Sequence, residues 1–283
     1  MPDRVALIGV GAMGKALLTR LRAAGLNVQA YDISAAALQA AGAGGAIVMP
    51  SAAAAAHDVT YVHVIVASED QTTQAVLGTD GVLAGASPGT LVFLHGTILP
   101  STTRHIAETA AKQNIDVLDA PIAGVPKNLE IGKSAFMLGG PQAVVEKVRD
   151  YLLQLGDRVQ HYGPLGAGNV AKLARAMLNA GERVLLAEVL AIVEAGGLDA
   201  EEFLRIETAE ARPSALSLWG NLFIMENGKA RPRPATNLFN KDVLLAAKLA
   251  ESQGLDAPIS QGAARIARRW VQEWANHAAA KMR

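Results

Sequence analysis

Val5-Ala6-Leu7-Ile8-Gly9-Val10-Gly11-Ala12-Met13-Gly14 lies near the start of the chain, and its reading decides the fold. Four apolar residues make a short buried strand, the glycines follow the spacing G-x-G-x-x-G, and residues 15–24 continue as a helical pattern closed by Gly25. In a strand–turn–helix setting, Gly9 permits the tight turn, Gly11 lets backbone approach a pyrophosphate and Gly14 lets the helix pack on the strand. The first helical turn adds free N–H groups and the positive end of the helix dipole. Gly9, Val10, Gly11, Ala12, Met13 and Gly14 are therefore candidate dinucleotide contacts.

Asp32 supports this reading. It ends a second strand, residues 28–31, and follows the last glycine by 32 − 14 = 18 residues, close to the spacing of about 20 at which an acidic residue meets the ribose hydroxyls. A carboxylate there repels a 2′-phosphate, and Ile33-Ser34 supplies no arginine to hold one. NAD is expected rather than NADP. The plainer alternative is a tight turn with a helix-capping aspartate.

Working outward, short β-branched runs alternate with helical stretches. Strands are expected at residues 47–48, 59–66, 90–94 and 115–118, a small helix at 51–56, and a further helix at 100–113. A shorter unit follows: strand 135–138, helix 141–155, strand 159–162. Strands separated by helices imply right-handed crossovers and a parallel sheet. The pattern changes at Gly163-Pro164. Residues 170–195 read as one long helix, apolar on most faces and so expected to be buried between domains or subunits. Helices at 200–208, 213–225, 240–253 and 259–278 complete the chain, with residues 227–234 as a loop and no strand beyond Tyr162. The expected fold class is an α/β Rossmann-type N-terminal domain (residues 1–163) followed by an all-α C-terminal domain (residues 164–283), joined by the long helix.

Composition narrows the class. The 283 residues are 51% hydrophobic and 18% charged, with 26 basic and 26 acidic side chains and no cysteine. Zero net charge argues against a nucleic-acid binder. The lack of cysteine excludes disulfides, a thiol nucleophile and thiolate metal ligands. The six histidines have no metal-ligand spacing, so no metal is expected. No apolar run reaches bilayer length, and no targeting segment is visible, so a cytoplasmic protein without membrane partners is expected. Neutral charge and an apolar long helix point to a homodimer or homotetramer.

Four motifs together resemble the β-hydroxyacid dehydrogenase family, which includes 3-hydroxyisobutyrate dehydrogenase and tartronate semialdehyde reductase. They are the glycine loop with Met13 before its last glycine; Asp119-Ala120-Pro121-Ile122-Ala123-Gly124-Val125, similar to the family's substrate loop D-A-P-V-S-G-G; residues 163–179, similar to its G-x-x-G-x-G-x-x-x-K helix; and Lys241-Asp242 before Leu244-Leu245-Ala246. The resemblance implies a nicotinamide-dependent oxidoreductase interconverting a small β-hydroxy acid, or related alcohol, with its aldehyde or ketone. It implies Lys172 as the proton-transfer residue, Val66, Ala67 and Thr97 beside the cofactor, and Lys241 near the nicotinamide. An imine or keto reductase on the same scaffold and a non-catalytic NAD(H) sensor are the alternatives; Lys172, Lys241 and Asp32 argue against them.

The chain also departs from the family. The loop serine that helps hold a carboxylate is Ala123, the second glycine is Val125, and the asparagines expected three and four residues after the lysine are Arg175 and Ala176. Backbone N–H groups of Ala123, Gly124 and Val125 can still meet an anion. Lys172, Arg175, Ala176 and Asn179 share a helix face. Arg175 is either a clamp for an acidic substrate or a surface arginine paired with a neighbouring glutamate, and Asn179 is a further candidate for orienting substrate. His95 reads as a strand-end histidine with a local hydrogen bond or a polar group near the nicotinamide. Trp219 and Phe223 read as core, Asp242 as structural, and Lys127 and Glu130 as a solvated turn.

Overall fold

The structure is a computed structural model describing residues 4–209, 223–226, 229–232 and 237–281. It divides into two compact units, Met1–Ala176 and Met177–Arg283. The first contains β1 (Arg4–Ile8), α1 (Ala12–Ala23), β2 (Asn27–Tyr31), α2 (Ala35–Ala43), β3 (Ile47–Val48), α3 (Ala52–Ala56), β4 (Tyr61–Val64), α4 (Glu69–Leu77), α5 (Val82–Gly85) and β5 (Leu91–Leu94). It continues through α6 (Pro100–Ala111), β6 (Asp116–Asp119), β7 (Ile122–Ala123), α7 (Pro126–Glu130), β8 (Ala135–Gly139), α8 (Gln142–Leu153) and β9 (Arg158–Gly163), and it takes in the first turns of α9 (Ala167–Ala195).

The strands form one sheet in the order β3-β2-β1-β4-β5-β6-β8-β7, with β9 beside β8. The pairs from β3 across to β6 are parallel, each formed by a crossover helix, which is the doubly wound arrangement read from the sequence. Beyond β6 the fully parallel expectation fails. β8 runs antiparallel to β6 and β7, and β9 is parallel to β8. β7 continues in the direction of β6, and the short return through α7 brings the chain back as β8, antiparallel to both.

Alternation along the strands divides the core between the two sheet faces. Val5 and Leu7 of β1 join Leu91 and Phe93 of β5 under α1 and α8. Ala6 and Ile8 join Val92 and Leu94 under α3, α5 and α6. Three helix starts are fixed by serine caps: the Ser34, Ser51 and Ser68 hydroxyls accept from the N–H groups of Ala37, Ala54 and Gln71. Pro100 begins α6, where its missing N–H costs nothing. Lys127 and Glu130, expected in a turn, are exposed residues of the short helix α7.

The second unit holds the rest of α9, α10 (Ala200–Ala209), β10 (Phe223–Glu226), β11 (Lys229–Pro232), α11 (Asn237–Ser252) and α12 (Pro258–Lys281). The unit is helical but for one hairpin, which corrects the expectation of no strand beyond Tyr162. Phe223 belongs to a strand rather than to the end of a helix over 213–225, and residues 229–232 pair with it antiparallel. In sequence terms Asn227-Gly228 is the dipeptide that favours a two-residue hairpin, a signal that outweighs helical spacing. The start of α12 is capped by Glu188 of α9, whose carboxylate accepts from Ile259 N, Ser260 N and the Ser260 hydroxyl at 2.7–2.9 Å. The middle of the long helix, residues 177–186, is not covered by the described residues. Met177, Leu178, Val184, Leu185 and Leu186 are all exposed. No helix of the described residues is long and apolar enough to cross a membrane.

Candidate active site

The first half of the site is a cavity of about 850 Å³ at the C-terminal ends of β1, β2 and β4. Gly9, Gly11, Tyr31, Asp32, Val66 and Ala67 line it, joined by Asp70, Gln71, Gln74 and Asp80 from α4 and the loop after it. Gly9 adopts φ +95°, and a Cβ there would lie 2.4 Å from the Ile65 carbonyl oxygen, so the turn admits only glycine. A Cβ on Gly14 would lie 2.2 Å from the Gly9 carbonyl oxygen; the close approach is to the turn itself. At Gly11 a Cβ would meet nothing within 4 Å, so the loop opens onto space that a pyrophosphate fits.

Asp32 fixes this loop. Its carboxylate accepts from Val10 N at 2.6 Å and from Ser34 N at 2.8 Å, so it ties the glycine turn to the start of α2 while keeping lone pairs for ribose hydroxyls. The remaining expected cofactor residues divide. Val10 is fully buried in the core and contributes its backbone, Met13 packs against the same core, and Ala12 is exposed but outside the cavity lining. Thr97 is exposed just past β5, also outside the lining. Lys241 falls in α11, and its side chain lies outside the described residues, as does Trp219.

The second half of the site is built around Asp119, whose role the sequence reading missed. It ends β6 fully buried, and its carboxylate accepts from Gly166 N at 2.7 Å and Asn169 N at 2.8 Å. A buried acid thus caps the helix that carries Lys172. Burial pushes its carboxyl above the ordinary range, partly countered by these backbone bonds. Asn169 adds a second tie, donating to Thr103 of α6 at 2.7 Å. An aspartate closing an apolar strand was the available signal.

With α9 so placed, the Lys172 ammonium donates to the Ile122 carbonyl oxygen at 2.7 Å. Ala123 is buried beside it with Ala135, Met137 and Ala171, while Gly124 and Val125 are exposed. Burial first, and then the Arg175 guanidinium, lowers the pKa of Lys172 from its ordinary value. Arg175 is exposed and has no hydrogen-bond or ion-pair partner among the described residues, so the paired-glutamate alternative is not found there. Asn179 is exposed on the part of α9 that belongs to the second unit, and Asp242 is exposed on α11. No cluster of His, Asp or Glu that could hold a metal occurs among the described residues.

Comparison with known proteins agrees with this geometry. Residues 4–163 match the family described as the NAD binding domain of 6-phosphogluconate dehydrogenase, and residues 166–281 match that of NADP-dependent 3-hydroxyisobutyrate dehydrogenase. The NAD-dependent L-serine dehydrogenase of Pseudomonas aeruginosa is 31% identical over 262 residues, covering 90% of this chain and 88% of its own. Among solved structures, the Mycobacterium tuberculosis 3-hydroxyisobutyrate dehydrogenase with L-serine superposes with a TM-score of 0.67 at 27% identity, covering 96% of this chain and 94% of that one. A variant imine reductase from Myxococcus stipitatus shares the fold, with a TM-score of 0.80 at 21% identity over 96% and 95% of the two chains. Residues 4–163 make up an NAD(P)-binding domain, and the chain belongs to the β-hydroxyacid dehydrogenase family.

Proposed function

We propose that the protein is an NAD(H)-dependent dehydrogenase or reductase that interconverts a small β-hydroxy acid, or related alcohol, with its aldehyde or ketone. The observation that carries this reading is Lys172: half-buried, lowered in pKa, and held by the carbonyl of the substrate-loop residue Ile122. When bound, the nicotinamide supplies or accepts the hydride. In the reducing direction Lys172 Nζ donates a proton to the carbonyl oxygen as charge grows there; in the oxidising direction the neutral amine takes the hydroxyl proton. The Ile122 oxygen accepts an N–H from either form, so the lysine keeps its place through the cycle. The apolar surface of Ala123, Met137 and Ala171 keeps water scarce around it.

The charges of the cavity support NAD over NADP. Its lining carries the carboxylates of Asp32, Asp70 and Asp80 and no lysine or arginine, which opposes a 2′-phosphate. For the substrate, Arg175, near Lys172 and without a partner among the described residues, supports an acidic group held in a bidentate clamp, with the exposed backbone of Gly124 and Val125 as further donors. Asn179 is assigned to substrate orientation on the same helix. The exposed apolar residues of α9 support association of the helical unit into at least a dimer. Oxidation of NADH and NADPH against short aldehyde acids, keto acids, apolar aldehydes and cyclic imines tests the reading. NADH-linked turnover of an aldehyde or keto acid supports it; turnover of imines alone, or none despite NADH binding, refutes it.

A further inference from the structure

Behind the site, and used by none of the chemistry above, lies a buried polar chain. His63 of β4 and His95 at the end of β5 sit inside the core with rings 9° from parallel. His63 Nε2 is 2.7 Å from the Tyr151 hydroxyl of α8, His63 Nδ1 is 2.9 Å from His95 Nε2, and His95 Nδ1 is 2.7 Å from the Ala120 carbonyl oxygen. Chemistry fixes every hydrogen. A carbonyl oxygen only accepts, so His95 Nδ1 carries its proton. Both imidazoles are buried and neutral, each with one N–H. His95 Nε2 therefore accepts from His63 Nδ1–H, and His63 Nε2 accepts from Tyr151 O–H. The bonds run one way, from α8 through two strands to Ala120.

That end point matters because of what adjoins it. Residues 119–122 are a strap running from the end of β6 into β7; beside backbone bonds from Ala120 N to the Leu94 oxygen and from Met137 N to the Pro121 oxygen, three fastenings involving side chains hold it: Asp119 to the start of α9, Ala120 to His95, and Ile122 to Lys172. Asp119 and Lys172 both belong to the site. His95 touches neither lysine nor cavity, yet it holds the residue between them.

We propose that His95, oriented by His63 and Tyr151, is a positioning residue for Lys172: it fixes the strap so that the Ile122 carbonyl meets the amine. The inference concerns Lys172 in the role given to it above. Its test reads the lysine directly, so that failure of the proposed reaction and failure of this idea can be told apart.

The test compares two substitutions. His95→Asn keeps an N–H donor where Nδ1 stood and loses the bond to His63. His95→Gln reaches the place of Nε2 and loses the bond to Ala120. Competitive acetylation across pH, read by mass spectrometry on the Lys172 peptide, follows the titration of the amine whether or not a substrate is known. The expected result is a Lys172 titration close to wild type in His95→Asn. In His95→Gln it moves upward toward an ordinary lysine, because a loosened strap admits water to Nζ. With substrate, kcat falls roughly 10–100-fold in His95→Gln with NADH affinity unchanged, the scale of a small misplacement of a catalytic group. A core with a merely structural histidine pair would not separate the two variants in this order. A wild-type titration in His95→Gln, or a shift in His95→Asn as large as in His95→Gln, overturns the proposal.

Discussion

Lys172 and Arg175 act as a pair of like charges one helical turn apart, and their coupling is measurable. Arg175 is the second cause, after burial, of the lowered lysine pKa. In the role proposed for Lys172 the neutral amine is the active form in the oxidising direction, so kcat is expected to rise with pH and to level off above the lysine pKa. Removing the guanidinium raises that pKa. Arg175→Gln is expected to move the rising limb of the oxidation profile to higher pH and to raise KM for an acidic substrate; an unmoved limb and KM would show that Arg175 faces neither. At Asp32 the same reasoning concerns cofactor choice. Asp32→Ala is expected to reduce the preference for NADH over NADPH at least about 10-fold, the equivalent of 1.4 kcal/mol. The ratio of kcat/KM for the two cofactors measures it.

Among the elements, α9 depends most on one side chain. Asp119 satisfies two of the N–H groups that any helix start leaves unpaired. Asp119→Ala leaves those groups buried without partners and is expected to cost about 1–3 kcal/mol, read as a lower urea midpoint. Activity should fall further than stability accounts for, since the helix start carries Lys172. This cap also shows where sequence reading succeeds and stops. The glycine turn and the place of Asp32 were legible because fixed spacing on a strand–turn–helix forces their geometry, whereas Lys172 was reached only through the family resemblance. Asp119 stood within a recognised motif, yet its task depends on Gly166, 47 residues later and just before α9. The antiparallel β8 and the hairpin were misread because local periodicity carries no information about which strand lies beside which. His63 and His95 are 32 residues apart, and only sheet order makes them neighbours.

The whole molecule carries the cost of burying that histidine pair. Burial lowers His95 to about 4 from an ordinary value of 6.5, and lowers His63 well below its ordinary value. Between these limits the unfolded chain binds protons that the folded chain refuses. The stability is therefore complete above pH 6.5 and is lost as pH falls toward 4. A span of about 2.5 pH units corresponds to roughly 3 kcal/mol from His95 alone. Asp119, raised by burial, works in the opposite sense and offsets part of this loss. Urea midpoints at neutral pH and near pH 4.5 should show the decline, and His95→Asn should flatten it; a parallel decline in that variant would assign the acid sensitivity elsewhere.

In the proposed reaction Lys172 moves the proton, and single-turnover hydride transfer reads that role without interference from product release. Enzyme preloaded with NADH is mixed with its aldehyde or keto acid substrate, and loss of nicotinamide absorbance is followed across pH in wild type and Lys172→Ala. The predicted result is a rate about 10²–10⁴-fold lower in the variant, with NADH affinity unchanged and the pH dependence assigned to the lysine abolished. A Lys172→Ala variant that transfers hydride at the wild-type rate with the same pH profile would show that another group moves the proton.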